Sequence, residues 1–217
     1  MEQTETRKIR VIQPGQIPTS SWSGGTTSQL GIGEGDCSYG ERNFLWRLSS
    51  ATVDDEVSEF TALPDYRRLI LMQEGTVTLC HDDGPELVLE PWQVHDFDGA
   101  SRTVCRGKAR DFNLMLRKES AEGSLTVLDR ETKALTFRGA AEQEEKRIYA
   151  VYNCGADLEI LAGQESFPVN AGGIFFLTET GRDSQQVRIR EIRREKPDSE
   201  TILAEISIKR SRETLAF

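Results

Sequence analysis

The sequence is short of histidine, and that scarcity removes the usual metal centre. Only His81 and His95 occur in 217 residues. A tetrahedral or facial-triad site needs three or more converging N, O or S ligands. His81 falls in an expected hairpin loop and His95 has no partner at H-x-H spacing, so no dedicated metal site and no cofactor are expected. The four cysteines, Cys37, Cys80, Cys105 and Cys154, form no C-x-x-C pair. With no secretory leader read at the N-terminus, reduced thiols in a cytoplasmic protein are expected. No apolar run approaches the ~18–20 residues that cross a bilayer. There is no excess of positive charge either: 36 acidic residues face 27 basic ones, a formal net charge of −9. That disfavours nucleic acid and anionic membrane as partners. A G-x-S-x-G nucleophile elbow is missing around Ser49, Thr26 and Thr27, and carboxylate pairs such as Asp98 and Asp111 arise readily by chance. Helical periodicity over more than about three turns is absent.

What is present is a succession of short strands. Ile9–Ile12 ends at Pro14-Gly15, and Leu69–Met72 runs into a turn at Glu74-Gly75. Thr76–Cys80 alternates strictly, Glu86–Leu89 returns after the loop at His81–Pro85, and Val94–Phe97, Thr103–Cys105 and Asp111–Met115 follow. Turns every eight to twelve residues or so indicate a sandwich or closed barrel. A similar layout recurs from Arg147 onward, through Asp157–Ile160 and Phe167–Phe176, to a hairpin turning at Pro197-Asp198 and ending near Ile208. The expected organisation is two similar β units, residues 1–118 and 119–217, divided near Glu119–Gly123. The acidic run Glu142–Glu145 is read as solvated surface. The basic stretch from Arg182 to Lys196 alternates with Val187, Ile189 and Ile192, and is read as the wet face of a strand.

Within the first unit, Asp111-Phe112-Asn113-Leu114-Met115 carries two polar side chains on one face of an apolar strand, because side chains alternate with period two. Buried, they need hydrogen-bonding partners or cost several kcal/mol. Arg47 and Arg68 are planar charged forks suited to carboxylate, and Trp22 and Trp46 are flat walls. Thr26, Thr27 and Ser49 add hydroxyls, and His95 is read as core or pocket wall. These ten residues, Asp111 and Asn113 included, form the expected ligand site. The alternative for Asp111 is an internal pair with Arg47 that buttresses the fold.

Five stretches in order resemble the HutD/Ves family, bacterial bicupins linked to histidine utilisation. They are Trp22–Thr27, Phe44–Ser49, Phe60–Pro64 with Arg68, Glu74-Gly75, and Asp111–Met115, spanning roughly residues 20 to 117. The chain departs from the family pattern at Ser23, Arg67 and Ala100. The resemblance implies an all-β bicupin of two tandem cupin-like jelly-roll barrels, the first holding the pocket. It also implies a non-catalytic protein that binds a small acidic metabolite, formylglutamate-like or urocanate-like, in the control of histidine catabolism. A homodimer is compatible with it. The rival is a metal-independent isomerase or hydrolase using His95 or Asp111 as acid or base. A third reading gives the second barrel a structural or protein-interaction role.

Overall fold

The computed structural model describes residues 7–33, 35–129, 134–194 and 200–210. Apart from a 3-10 turn at Pro14–Gln16 it is built of strands, and no α-helix occurs among the described residues. Strand β1 is Arg7–Ile12. Then come β2 (Thr19–Trp22), β3 (Gly25–Gly33), β4 (Trp46–Val53), β5 (Val57–Phe60) and β6 (Tyr66–Glu74). The next five are β7 (Val77–His81), β8 (Glu86–Leu89), β9 (Val94–Asp98), β10 (Thr103–Arg106) and β11 (Ala109–Arg117). Later strands are β12 (Ala121–Leu128), β13 (Ala134–Phe137), β14 (Glu144–Asn153) and β15 (Ala156–Ala162). The last four are β16 (Glu165–Val169), β17 (Ile174–Glu179), β18 (Gln185–Arg194) and β19 (Thr201–Lys209).

Two compact units result. One is Ile17–Glu119; the other joins Arg7 to Gln16 with the described residues after Glu119. The first has a six-stranded sheet in the order β2-β3-β4-β11-β6-β9 and a four-stranded sheet in the order β5-β10-β7-β8. Its core draws Val53, Ile70 and Met72 from the larger sheet and Phe60, Val77, Leu79 and Cys105 from the smaller. Alternation explains the smaller sheet: Val77 and Leu79 are buried while Thr78 and Cys80, each one residue further along, are partly exposed. The second unit has sheets β1-β17-β14-β19-β12 and β13-β18-β15-β16. All neighbouring pairs within the sheets are antiparallel.

The all-β, cupin-type architecture is as expected, with three corrections. The sheets do not close into continuous barrels, because ladder hydrogen bonding stops at edge strands such as β2 and β9. The unit that begins at Ile17 ends at Glu119, and the N-terminal strand expected in unit 1–118 belongs to the other unit. There Ile9 opposes Leu177 and Val11 opposes Phe175, and both side chains pack on that unit's core. Within the acidic run, Glu142 and Glu145 are exposed but Glu144 is buried. Its carboxylate accepts from Arg147 Nε at 2.6 Å and Nη2 at 2.9 Å, which makes burial tolerable. In β18, Val187 and Ile189 are buried and Arg188 and Arg190 exposed, as the alternation requires. Lys196 and the Pro197-Asp198 turn lie outside the described residues.

The turn at Glu74-Gly75 joins β6 to β7, and Gly75 adopts φ +81°. A Cβ there would sit 2.4 Å from the Lys108 carbonyl oxygen. Both the dihedral and the close approach demand glycine. We expect Gly75→Ala to lower unfolding free energy by about 1–3 kcal/mol, read from urea denaturation midpoints; an unchanged midpoint would contradict the turn geometry.

Candidate functional site

Strands β4, β11 and β6 lie side by side at the centre of the six-stranded sheet, and the register decides which side chains meet. Arg47 opposes Met115, Ser49 opposes Asn113 and Ala51 opposes Asp111. On the other flank Arg68 opposes Met115, Ile70 opposes Asn113 and Met72 opposes Asp111. Period-two alternation therefore puts Arg47, Ser49, Arg68, Asp111, Asn113 and Met115 on one face. That face borders a cavity of about 210 Å³, which Trp22, Thr27, Tyr39 and Phe60 also line.

Inside it, each arginine is held by neutral groups. Arg47 is 5% exposed. Its Nε donates to Gln29 Oε1 at 3.1 Å, its Nη1 donates to Ser49 Oγ at 3.0 Å, and its guanidinium lies 4.3 Å from the Tyr39 ring centre. Arg68 is 6% exposed. Its Nη1 donates to the Thr61 carbonyl at 3.4 Å and its guanidinium packs over Phe60 and Phe97, at 5.3 and 5.1 Å. Its Nε has no hydrogen-bond partner. Burial pulls both arginines below their ordinary pKa, Arg68 to about 10, which still leaves Arg68 charged at neutral pH.

Asp111 takes neither arginine as a hydrogen-bond partner. Its Oδ1 accepts the Ala51 backbone N–H at 2.9 Å. Burial pushes its carboxyl up to about 7, outweighing that amide and the fields of Arg68 and Arg47. The internal Asp111–Arg47 pair considered from sequence is therefore not formed. Two further buried polar atoms face no partner, Asn113 Oδ1 and Trp22 Nε1. Gly24 allows the indole to fold back, since a Cβ there would lie 2.4 Å from the Trp22 ring.

Of the ten residues expected at the site, Trp22, Thr27, Arg47, Ser49, Arg68, Asp111 and Asn113 line the cavity. Three do not. Trp46 precedes Arg47 and so points to the opposite face, where its Nε1 would be 2.6 Å from a Cβ on Gly33. Thr26 precedes Thr27 and likewise turns away; its hydroxyl lies 3.1 Å from Thr52 Oγ1. His95 stacks on His81 and Phe97 rather than lining the cavity. Sequence reasoning missed Tyr39, which sits in a loop without periodic signal, and gave no pocket role to Phe60 or Thr61.

His81 is the last residue of β7, not a loop residue, and its Nε2 lies 2.9 Å from His95 Nε2. Thr103 Oγ1 donates to the Ser101 carbonyl at 3.3 Å and so accepts from His81 Nδ1 at 2.8 Å. This order makes His81 Nε2 the acceptor and His95 Nε2–H the donor, which requires the His81 ring to be neutral. The two Nε2 atoms are turned on each other, and no group of three or more His, Cys, Asp or Glu placed to hold a metal ion occurs among the described residues.

A family model described as HutD matches residues 15–191. A conserved protein of unknown function from Pseudomonas aeruginosa PAO1, PA5104, superposes with a TM-score of 0.72 at 21% identity. HutD from Pseudomonas fluorescens SBW25 gives 0.69 at 23% identity. Bacterial pirin YhhW from Escherichia coli, solved with nickel(II), gives 0.60 at 8% identity. In each case the match covers 94% of this chain and 100% of the other. At these identities the likenesses establish the fold, which is of cupin type. No curated protein matches the sequence significantly.

Burial lowers the pKa of both histidines, and at His95 the neighbouring His81 lowers it further. Below about pH 6.5 the unfolded chain then binds more protons than the folded one. Stability present above that pH is lost as pH falls through the depressed folded values. Asp111 titrates in the opposite sense in both proteins, so the histidine effect is read as a difference: from pH 8 to pH 5 the melting temperature of the wild type should fall relative to that of the double variant His81→Phe/His95→Phe. Parallel profiles would show that the pair does not titrate as described.

Proposed function

This chain belongs to the HutD family, and we propose that it is a non-catalytic protein that binds a small carboxylate metabolite and serves the regulation of histidine utilisation. The link to histidine utilisation comes from family membership; the ligand class comes from the cavity. One observation carries the latter: Arg47 and Arg68, both nine-tenths buried, border the same cavity, and among the described residues no carboxylate hydrogen-bonds either. Buried charge without a counter-charge costs several kcal/mol. A ligand carboxylate supplies that counter-charge in a geometry the guanidinium fork matches.

The unpartnered atoms refine the class. Arg68 Nε and Trp22 Nε1 are donors that need acceptors, whereas Asn113 Oδ1 is an acceptor that needs an N–H or O–H. The complementary molecule is an acid with at least one hydrogen-bond donor, as in a formylglutamate-like amide or a urocanate-like imidazole. The volume, about 210 Å³, is that of roughly seven waters of liquid and falls below the ~300–1,000 Å³ of pockets for drug-sized ligands. A metabolite fits that size. The rival reading, a metal-independent isomerase or hydrolase, finds its support in Asp111, whose carboxyl near 7 suits acid–base exchange. His95, the other acid–base candidate, does not line the cavity.

Calorimetry with N-formyl-L-glutamate, N-formimino-L-glutamate and urocanate tests the proposal. A shielded bidentate contact is worth about 1.5–3 kcal/mol, so Arg47→Ala and Arg68→Ala should each weaken binding roughly ten- to hundredfold. Arg→Lys should recover part of this, since a point charge cannot reproduce the fork. Circular dichroism of each variant checks that the fold is retained. Unaltered affinity in both alanine variants would remove the carboxylate site, and conversion of any of the acids, followed by NMR, would favour the enzyme.

A further inference from the structure

We propose that Asp111 is the proton-binding residue of the cavity, and that an anionic ligand binds together with one proton from solvent on Asp111, so that affinity for a carboxylate rises as pH falls. The proposal rests on the carboxylate-binding reading above and adds its regulation.

The geometry is the starting point. Asp111 is 5% exposed and borders the cavity. Its carboxylate makes a single hydrogen bond among the described residues, from the Ala51 N–H to Oδ1. Oδ2 makes none, so Oδ2 is the atom able to take a proton and donate it to a ligand. A buried carboxylate stays ionised when several donors converge on it or a cation touches it, and neither condition holds here. Arg47, from β4, and Arg68, from β6, act on Asp111 through space while their hydrogen bonds go to Gln29, Ser49 and Thr61.

The other groups around the site leave this balance to the two arginines. Tyr39 acts on both guanidinium groups rather than on Asp111. Cys105, from β10, is pushed up to about 11 by burial and by Asp111, and so is neutral. His81, from β7, interacts with Arg68 and Asp82 and is neutral at physiological pH.

In the empty cavity two effects oppose each other, and burial is the larger. Burial favours the protonated acid and the two cations favour the carboxylate, leaving the carboxyl near 7. An arriving ligand carboxylate changes both sides at once. It neutralises the guanidinium fields and adds a like charge beside Oδ2, and two adjacent carboxylates resist joint ionisation. Asp111 therefore takes up a proton, and its Oδ2–H becomes a donor to the ligand oxygen. The bound state carries two arginine charges against the ligand, with no repelling carboxylate between them.

The first test needs no ligand. The side-chain carboxyl carbon resonance of Asp111, identified by its loss in Asp111→Asn, should titrate near pH 7 in the free protein; a midpoint at or below about 5 overturns the proposal. The second uses N-formyl-L-glutamate as probe, in calorimetry across buffers of different ionisation enthalpy. With a free carboxyl near 7, wild type should take up close to one proton per ligand at pH 8. It should also bind about tenfold more weakly at pH 8 than at pH 6.

Asp111→Asn keeps the acceptor for Ala51 and places an N–H where the protonated acid has its O–H. It should show no uptake and a flat affinity near the wild-type value at pH 6. Binding without proton uptake, or uptake that survives in Asp111→Asn, overturns the coupling alone. Failure of the probe and of the other two acids to bind at any pH from 6 to 8 overturns the carboxylate reading and the coupling together.

Discussion

The structure of the first unit turns on three neighbouring strands that are buried on both faces while one face is polar. From Asp111 to Leu116 every residue of β11 is buried, and β4 and β6 are buried over most of their lengths. On one face this brings together Leu48, Phe112, Leu114 and Leu69, which needs no further account. The other face carries Arg47, Arg68, Asp111 and Asn113, whose dehydration must be offset. Aromatic faces do part of this, since Tyr39 receives Arg47 and Phe60 and Phe97 receive Arg68. Such contacts are worth about 0.5–2 kcal/mol each, less than the several kcal/mol of burying a charge. The remainder of that cost is not met by these contacts, and this shortfall is the packing feature on which the proposed binding role rests.

Phe97 belongs to two features at once. One interaction is with the Arg68 guanidinium, and the others are ring contacts with His81 at 4.8 Å and His95 at 5.5 Å. Strand β9, an edge strand, carries His95 and Phe97, and β7 in the smaller sheet carries His81. The neutral His81–His95 hydrogen bond thus joins the two sheets of this unit beside the wall against which Arg68 rests. A proton on both rings would remove that bond and add charge next to an existing cation. The arrangement explains why this histidine pair is kept neutral, and why a metal cation there would meet the positive field of Arg68 as well as a deficient ligand set.

Much of this was legible in the sequence, and the failures have physical reasons. Strand existence followed from alternation in segments such as Val77–Leu79, and Asp111 and Asn113 announced an inward polar face because apolar neighbours made their burial evident. Trp46 and Thr26 were misassigned by ignoring the same rule: each precedes a cavity residue and must point away from it. Tyr39 carries no periodic signal at the cavity, since it lies in a loop. The pairing of β1 with β17 is a long-range contact that no local pattern contains. Glu144 was hidden by composition, because in a run of acids only its partner Arg147 distinguishes the buried member.

The second unit shows how little of this belongs to the fold. Its central strand β14 is flanked by β17 and β19 as β11 is flanked by β4 and β6. Where β11 turns Asp111 and Asn113 inward, β14 turns Tyr149 and Val151, opposed by Leu177 and Phe175 and packed with Phe137 and Leu203. The Tyr149 hydroxyl is bonded to the Arg138 backbone and its ring stacks on Phe137 at 4.2 Å. The polar atom that Tyr149 brings to that interior is therefore met by the unit's own backbone. The same layered architecture thus packs an apolar cluster around the central strand of one unit and an under-satisfied cationic cavity beside that of the other. Because the chain as a whole is acidic, at −9, its long-range field repels anions. The carboxylate site proposed above therefore relies on the few ångströms around Arg47 and Arg68, where burial strengthens each interaction and salt screens it least.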